Sequence, residues 1–268
     1  MTVYILGSTG LLGSLLAMNH NAQAVSRAMC DITDPVSVST FFARNKPDIV
    51  INCAGVVPKV AEKVGDMQTF RVNALGPKLL RSACNEYGAR LIHISTDCVF
   101  TGVWGNYSED SLPNPPDVYG LSKLLGELYD EPHLTIRTSF IGLPDAGGRG
   151  LLDWASRQTT LMGWDQVLWN GLTTNELGST IFNKVIPSQI TGLLHLHGET
   201  VSKYDILCQA KEVFGWDVGI LKESNIDKLS MKHVGNKTLA SKYPEFQTKK
   251  SLRQQLEEMR DQNGCSVP

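Results

Sequence analysis

Nowhere does the sequence carry an apolar run approaching the ~20 residues that span a bilayer. The start of the chain also lacks a charged segment followed by a cleavable apolar stretch, so the expected setting is cytoplasmic, with no membrane partner. Basic blocks are missing too. Lys and Arg number 25 against 27 Asp and Glu, a formal net charge of −2, without the clustering that tracks a phosphate backbone. No nucleic acid is therefore expected as a partner, and small molecules are. The six cysteines (Cys30, Cys53, Cys84, Cys98, Cys208, Cys265) form no CxxC pair and no Cys/His cluster at zinc spacing. That argues against a disulfide framework and against a metal site, and most of them read as small buried apolar residues. Internal repeats and low-complexity segments are absent.

What is present suits a globular α/β chain: 268 residues, 42% hydrophobic and 19% charged, enough for one large domain or a domain with a small lobe. Short apolar runs alternate with helical patterns in the first half, the signature of βαβ units. Val3–Leu6, Ala24–Ser26, Ile49–Asn52, Leu91–Ser95 and Leu134–Arg137 read as five parallel strands of a doubly wound, Rossmann-type sheet. Asp34 before Pro35 reads as the cap of a helix running toward Arg44, and further helices fit 68–87 and 119–129. After about residue 140 the pattern loosens into GLPDAGGRG, a Gly-rich hinge. The expected division is a dinucleotide-binding domain at 1–140, with a return segment near 175–200, and a smaller C-terminal substrate-binding lobe at 141–268 interleaved with it. In that lobe 202–214 and 251–259 read as amphipathic helices, and QNGCSVP as a frayed tail.

The stretch GSTGLLG follows the first strand and opens a helix. Glycine permits the tight turn and the close approach of backbone to a pyrophosphate, and the helix start offers free N–H groups. Gly7, Thr9, Gly10, Leu11, Leu12 and Gly13 are the candidate contacts, although glycine turns also follow strands in proteins that bind nothing. After the second strand a basic residue favours NADPH and an acidic one NADH. Arg27 occupies that region, so NADPH is expected unless Arg27 is a solvated surface residue, and NADH stays open. Asp31 and Ile32 fit an adenine rim. Asn52, Ala54 and Gly55 lie on the carboxyl edge of the third strand, where open α/β sheets bind ligands.

In VYGLSKLLGE, Tyr119 and Lys123 stand one helical turn apart and project from one face. A nearby ammonium lowers a phenol's pKa and makes it a proton donor or acceptor near neutrality; Lys123 could also hold the cofactor ribose, and Thr96 could polarise a carbonyl. A Tyr and a Lys on an ordinary amphipathic helix share the spacing, so the pair gains meaning only from the order of the pieces around it.

That order, a glycine cradle, INCAG, a strand ending in Ser95 and Thr96, then Y-x-x-x-K, resembles the extended short-chain dehydrogenase/reductases. Within them the chain resembles the dTDP-4-dehydrorhamnose reductase group, through GSTGLLG, CDITD, KPDIVINCAG, RVNALG, ISTDCVF, YGLSKLLGE, LTIRTSFIG, WNGLTTNEL and GLLHLHGETVSKYDIL. The resemblance implies NADPH-dependent reduction at carbon 4 of a nucleotide-diphosphate 4-keto-6-deoxy sugar, with Thr96, Tyr119 and Lys123 as the triad. It adds Asn73, Arg137 and Thr138 on the cofactor side, and a homo-oligomer is compatible with it. Substrate selection falls to Asp97, Cys98, Ser139, Trp169, Asn170 and Thr173; for Thr173 helix capping is the equal alternative. Trp154 and Trp164 read as core, and His195 and His197 as structural. Two alternatives stay open: a non-catalytic nucleotide-binding regulator, and a bifunctional epimerase/reductase using Cys98. Against the latter, the segment after the fifth strand offers only Arg149 and Arg157, no His or Lys, as a proton partner.

Overall fold

The structure, a computed structural model, describes residues 1–143, 150–225 and 235–262. The core of the Gly-rich hinge with Arg149, and the tail with Cys265, lie outside the described residues. The chain divides into two compact units: Met1–Phe100 with Leu112–Arg137 and Ile186–Leu194, and Thr101–Ser111 with Thr138–Val185 and His195–Pro268.

The first unit is built on β1 (Val3–Leu6), α1 (Leu11–Asn19), β2 (Gln23–Val25), α2 (Pro35–Asn45), β3 (Ile49–Asn52), α3 (Pro58–Val64), α4 (Asp66–Phe70), α5 (Gly76–Tyr87), β4 (Arg90–Ile94), α6 (Val118–Gly126) and β5 (Leu134–Arg137). The strands pair in parallel in the order β2-β1-β3-β4-β5, and a sixth strand, Gly192–His195, lies beyond β5. Chain order therefore reverses between β1 and β3, which opens a crevice at their carboxyl ends. Every residue of β3 and of β5 is buried, as expected of strands covered on both faces. One core cluster joins Leu6, Val50 and Leu91 of the sheet to Phe41 and Phe42 of α2 and Leu80 and Cys84 of α5. Asp34 caps α2 by accepting the Val36 N–H at 3.0 Å, with Pro35 in the first turn.

The continuous helix expected at 68–87 is broken by a π-helical turn at Arg71–Leu75. Pro77 has no N–H to offer the Asn73 carbonyl four residues back, and the bulge widens the helix there. The bulge lets Asn73 press on α6, where a Cβ at Gly126 would lie 2.0 Å from the Asn73 carbonyl oxygen.

In the second unit Thr160–Trp164 pairs in parallel with Gly219–Glu223, Phe140–Ile141 with Leu172–Thr173, and Leu168–Trp169 runs antiparallel to Val201–Ser202. Ile141, Trp169, Ile206, Phe214, Leu256 and Met259 form its main cluster. The helix Lys203–Phe214 opens with a capping box between Ser202 and Asp205, and Leu252–Gln262 packs in the same cluster. Segment Thr101–Ser111, placed at 1–140 by the sequence reading, belongs here. Tyr107 exchanges backbone bonds with Thr238 and Ala240, and Glu109 accepts from His195 N–H and Ser241 Oγ. Of the described cysteines only Cys30 and Cys84 are fully buried, fewer than expected. Trp154 is 51% exposed, where the core was expected.

Candidate active site

Gly7 sits at φ +75°, and a Cβ there would lie 2.5 Å from the Ala54 nitrogen. A Cβ at Gly13 would lie 2.3 Å from the Gly7 carbonyl oxygen, so the loop after β1 closes tightly on itself and on the loop after β3. Gly10 is different. Its Cβ position meets only Gly7 O at 3.3 Å, and it stands as the N-cap of α1 with no side chain capping the helix. The first turn of α1 thus keeps its N–H groups and positive dipole end for an anion, and the cradle fits a dinucleotide pyrophosphate. Thr9 is exposed at its rim, whereas Leu12 is core and contributes backbone alone.

Arg27 is exposed along 74% of its side chain, and its Nε lies 2.9 Å from Asp31 Oδ2. Although partial burial opposes it, hydrogen bonds from Thr33 and Arg27 hold the Asp31 carboxyl below its ordinary range. The Ile32 side chain is buried and abuts Gly76, whose Cβ position lies 2.7 Å from Ile32 Cδ1, so its backbone is what remains to face an adenine.

Behind the cradle, Asn52 is fully buried, and its Oδ1 accepts the Ala54 N–H at 3.1 Å. Its Nδ2 faces His93 Nδ1, also at 3.1 Å. Asn73 clamps the same loop: Oδ1 accepts Val56 N–H at 2.8 Å while Nδ2 donates to Val56 O at 2.9 Å and Ser122 Oγ at 3.0 Å. Both of its amide protons are engaged, so Asn73 positions the loop and has none left for a cofactor.

Asp117 caps α6 through the Gly120 N–H at 2.8 Å, and the helix presses on the 3₁₀ turn Asp97–Val99, where a Cβ at Gly120 would lie 2.3 Å from the Cys98 carbonyl oxygen. Thr96 caps that turn by accepting the Cys98 N–H at 3.1 Å. Tyr119 therefore arrives beside Thr96, Asp97 and Cys98. Burial, with Cys98 next, pushes the phenol above the usual tyrosine range, while a hydrogen bond with Thr96 pulls the other way. Among the groups around the phenol, the Thr96 hydroxyl is one that favours the phenolate. Lys123 is buried, donates to Ile94 O at 2.7 Å and lies 3.4 Å from His93 Nε2. Burial brings its ammonium down to about 8 against the opposing pull of Glu127 and Cys53.

One further turn along α6, Glu127 is 1% exposed and gathers four donors: Arg137 Nε at 2.9 Å and Nη2 at 2.7 Å, Ser95 Oγ and Tyr129 Oη both at 2.6 Å. Arg137 also lies over the Phe100 ring, 5.2 Å from its centroid. Its guanidinium is committed to Glu127, so only its backbone remains to face a nicotinamide. Sequence reasoning missed Glu127 and His93. The first was within reach, since Y-x-x-x-K-x-x-x-E places three polar residues on one helical stripe.

The second-unit candidates are occupied by their own framework. Thr138 is buried and donates to Ser139 O at 3.3 Å, and Ser139 Oγ accepts the Trp169 indole N–H at 2.8 Å. Asn170 exchanges both amide groups with the Leu239 backbone, and Thr173, fully buried, accepts the Glu176 N–H at 3.3 Å as the cap of the helix Thr174–Thr180. For Thr173 capping is thus the role the structure supports. Asn170 and Leu239 border a cleft of about 340 Å³ with Asn106, His197, Thr200 and Ser241.

The family model described as the RmlD substrate binding domain matches residues 1–263. A dTDP-4-dehydrorhamnose reductase of Mycolicibacterium smegmatis is 38% identical over 132 residues, which are 47% of this chain and 40% of that protein. The chain thus spans less than half the length of that curated relative. The spore coat polysaccharide biosynthesis protein SpsK of Bacillus subtilis is 28% identical over 255 residues, 88% of this chain and 85% of that protein. Among solved structures, a dTDP-4-dehydrorhamnose reductase of Bacillus anthracis in complex with NADP superposes with a TM-score of 0.85 at 23% identity, covering 98% of this chain and 100% of that one, which is a likeness of fold.

Proposed function

The chain belongs to the RmlD substrate binding domain family, and from that premise we propose that it reduces the 4-keto group of a nucleotide-linked 4-keto-6-deoxy sugar with NADPH in the cytoplasm. The observation that carries the reading is a phenol beside a hydroxyl, in the same unit as an uncapped helix start behind a glycine cradle. The thymidine nucleotide in the relatives' names is the first substrate to try.

Gly7 to Gly13 would hold the pyrophosphate, and Arg27, exposed along most of its length beside Asp31, would meet a 2′-phosphate. Bound NADPH supplies the hydride to carbon 4. Tyr119 passes its proton to the oxygen that becomes alkoxide, and Thr96 hydrogen-bonds the same oxygen. Lys123, whose Nζ lies 4.0 Å from the Cβ position of Gly55, would reach the ribose. No described helix is long and apolar enough to cross a membrane.

The test is loss of NADPH absorbance with dTDP-4-keto-6-deoxy sugars. Tyr119→Phe should lower turnover by ~10² to 10⁴-fold with NADPH affinity nearly unchanged. Turnover close to wild type in the folded variant would remove the mechanism.

A further inference from the structure

The hydrogen bonds around Asn52 determine where His93 carries its proton. Asn52 Oδ1 accepts the Ala54 N–H at 3.1 Å, so the amide nitrogen, a donor, must face His93 Nδ1. A neutral imidazole that accepts at Nδ1 bears its hydrogen on Nε2. That nitrogen lies 3.4 Å from Lys123 Nζ, with both groups buried and Nζ also bonded to Ile94 O at 2.7 Å.

An ammonium opposite this Nε2–H puts donor against donor. An amine offers its lone pair to the same proton. The arrangement therefore gains a hydrogen bond only when Lys123 is neutral. Other groups around the pair act on the same balance. Glu127 on α6 and Cys53 after β3 favour the ammonium, while Lys78 of α5, with burial and Lys123 itself, keeps the imidazole uncharged.

We propose that His93 is a positioning residue for Lys123: locked by Asn52 with its proton on Nε2, it stabilises the amine form and so sets the alkaline limit of the Tyr119 centre. The link to that limit rests on the reduction proposed above; the lock does not. In the reaction Lys123 would then release a proton toward the phenolate more readily than an ordinary lysine, and His93 would hold the amine in place afterwards.

The test reads Lys123 directly, without NADPH or sugar. In protein labelled with ¹³C-lysine, the Lys123 Cε resonance, assigned by its loss in Lys123→Met, is followed against pH. His93→Leu removes the donor and should raise its inflection by about half a pH unit or more. His93→Gln can accept from Asn52 with Oε1 and present Nε2–H to Lys123, so its inflection should stay near that of the wild type. An unmoved inflection in His93→Leu, or an equal rise in His93→Gln, would overturn the proposal. Should His93→Leu fail to fold, ¹⁵N shifts of the wild-type imidazole decide: a proton on Nε2 is expected, and one on Nδ1 would refute the lock. A protein without turnover would count against the reduction alone, and the titration would still decide the role of His93.

Discussion

Replacing Glu127 should damage this protein more than replacing any exposed charge, because the carboxylate and its cation are both out of water. Arg137 is 1% exposed, and the Glu127 oxygens receive two of its N–H groups together with the Ser95 and Tyr129 hydroxyls. Glu127→Leu takes the counter-charge from a buried guanidinium, and removal of one partner of a buried pair costs about 3–5 kcal/mol. The two hydroxyls lose their acceptor as well, at about 1–3 kcal/mol each if no water or other acceptor reaches them. Against a typical stability of about 5–15 kcal/mol, the single variant should be marginal at room temperature. The double variant Glu127→Leu/Arg137→Met removes both charges at once and should recover most of the charge cost, since apolar replacement of a buried pair is often near neutral. Urea unfolding followed by circular dichroism compares them. With a slope of about 2–3 kcal/mol per molar, the charge cost alone should lower the single variant's midpoint by about 1–2.5 M, and the double variant's midpoint should fall by clearly less. A single variant within ~0.3 M of the wild type, or a double variant no better than the single, would refute the idea that each charge is tolerated only because the other is present.

Other expectations are read more simply. Arg27→Ala should weaken NADPH binding by about 1.5–3 kcal/mol and leave NADH nearly untouched, because only NADPH carries the 2′-phosphate; equal losses in a fluorescence titration would exclude that contact. Gly120→Ala puts a methyl 2.3 Å from the Cys98 carbonyl, so α6 and the turn beneath it must part; a cost of about 1–3 kcal/mol in thermal unfolding and a fall in turnover are expected, and a variant unchanged in both would argue against that packing. Incubation with a 4-keto-6-deoxy substrate in heavy water without NADPH should leave carbons 3 and 5 undeuterated, since Arg157, the described basic residue after β5, is tied to Asp153 at 2.6 Å. Uptake lost in Cys98→Ser would make Cys98 a proton-transfer group.

The cradle was legible because its demand is local: a positive φ at Gly7 and a backbone approach at Gly13 can be met by glycine alone, and both lie within one strand-turn-helix segment. The Tyr119–Lys123 stripe was legible for the same reason, as a helical spacing. The framework partners of the second-unit candidates were not. Asn170 is satisfied by Leu239 and the Thr173 backbone by Gln255, 69 and 82 residues away, and no local pattern announces a partner at that distance. The burial of the Ile32 side chain was not legible either, because Gly76, far along the chain, leaves room for it in the core. The π turn at Arg71–Leu75 had a visible cause in Gly76–Pro77, but helix periodicity on both sides concealed it.

Along α6 the polar residues meet the end of β4 in turn: Tyr119 beside Thr96, Lys123 on the Ile94 carbonyl and His93, and Glu127 on Ser95. Lys123 and Glu127 are buried and Tyr119 is partly so. The phenol is kept as an acid by desolvation, and the lysine is brought to the edge of losing its proton. The carboxylate, by contrast, has a full counter-charge in Arg137. That third pair makes the first two tenable, because an ionised Glu127 one turn from Lys123 is the field that keeps the ammonium from being lost altogether. An arginine read from the sequence as a cofactor contact thus stands behind the site as the counter-charge to the carboxylate that Lys123 feels.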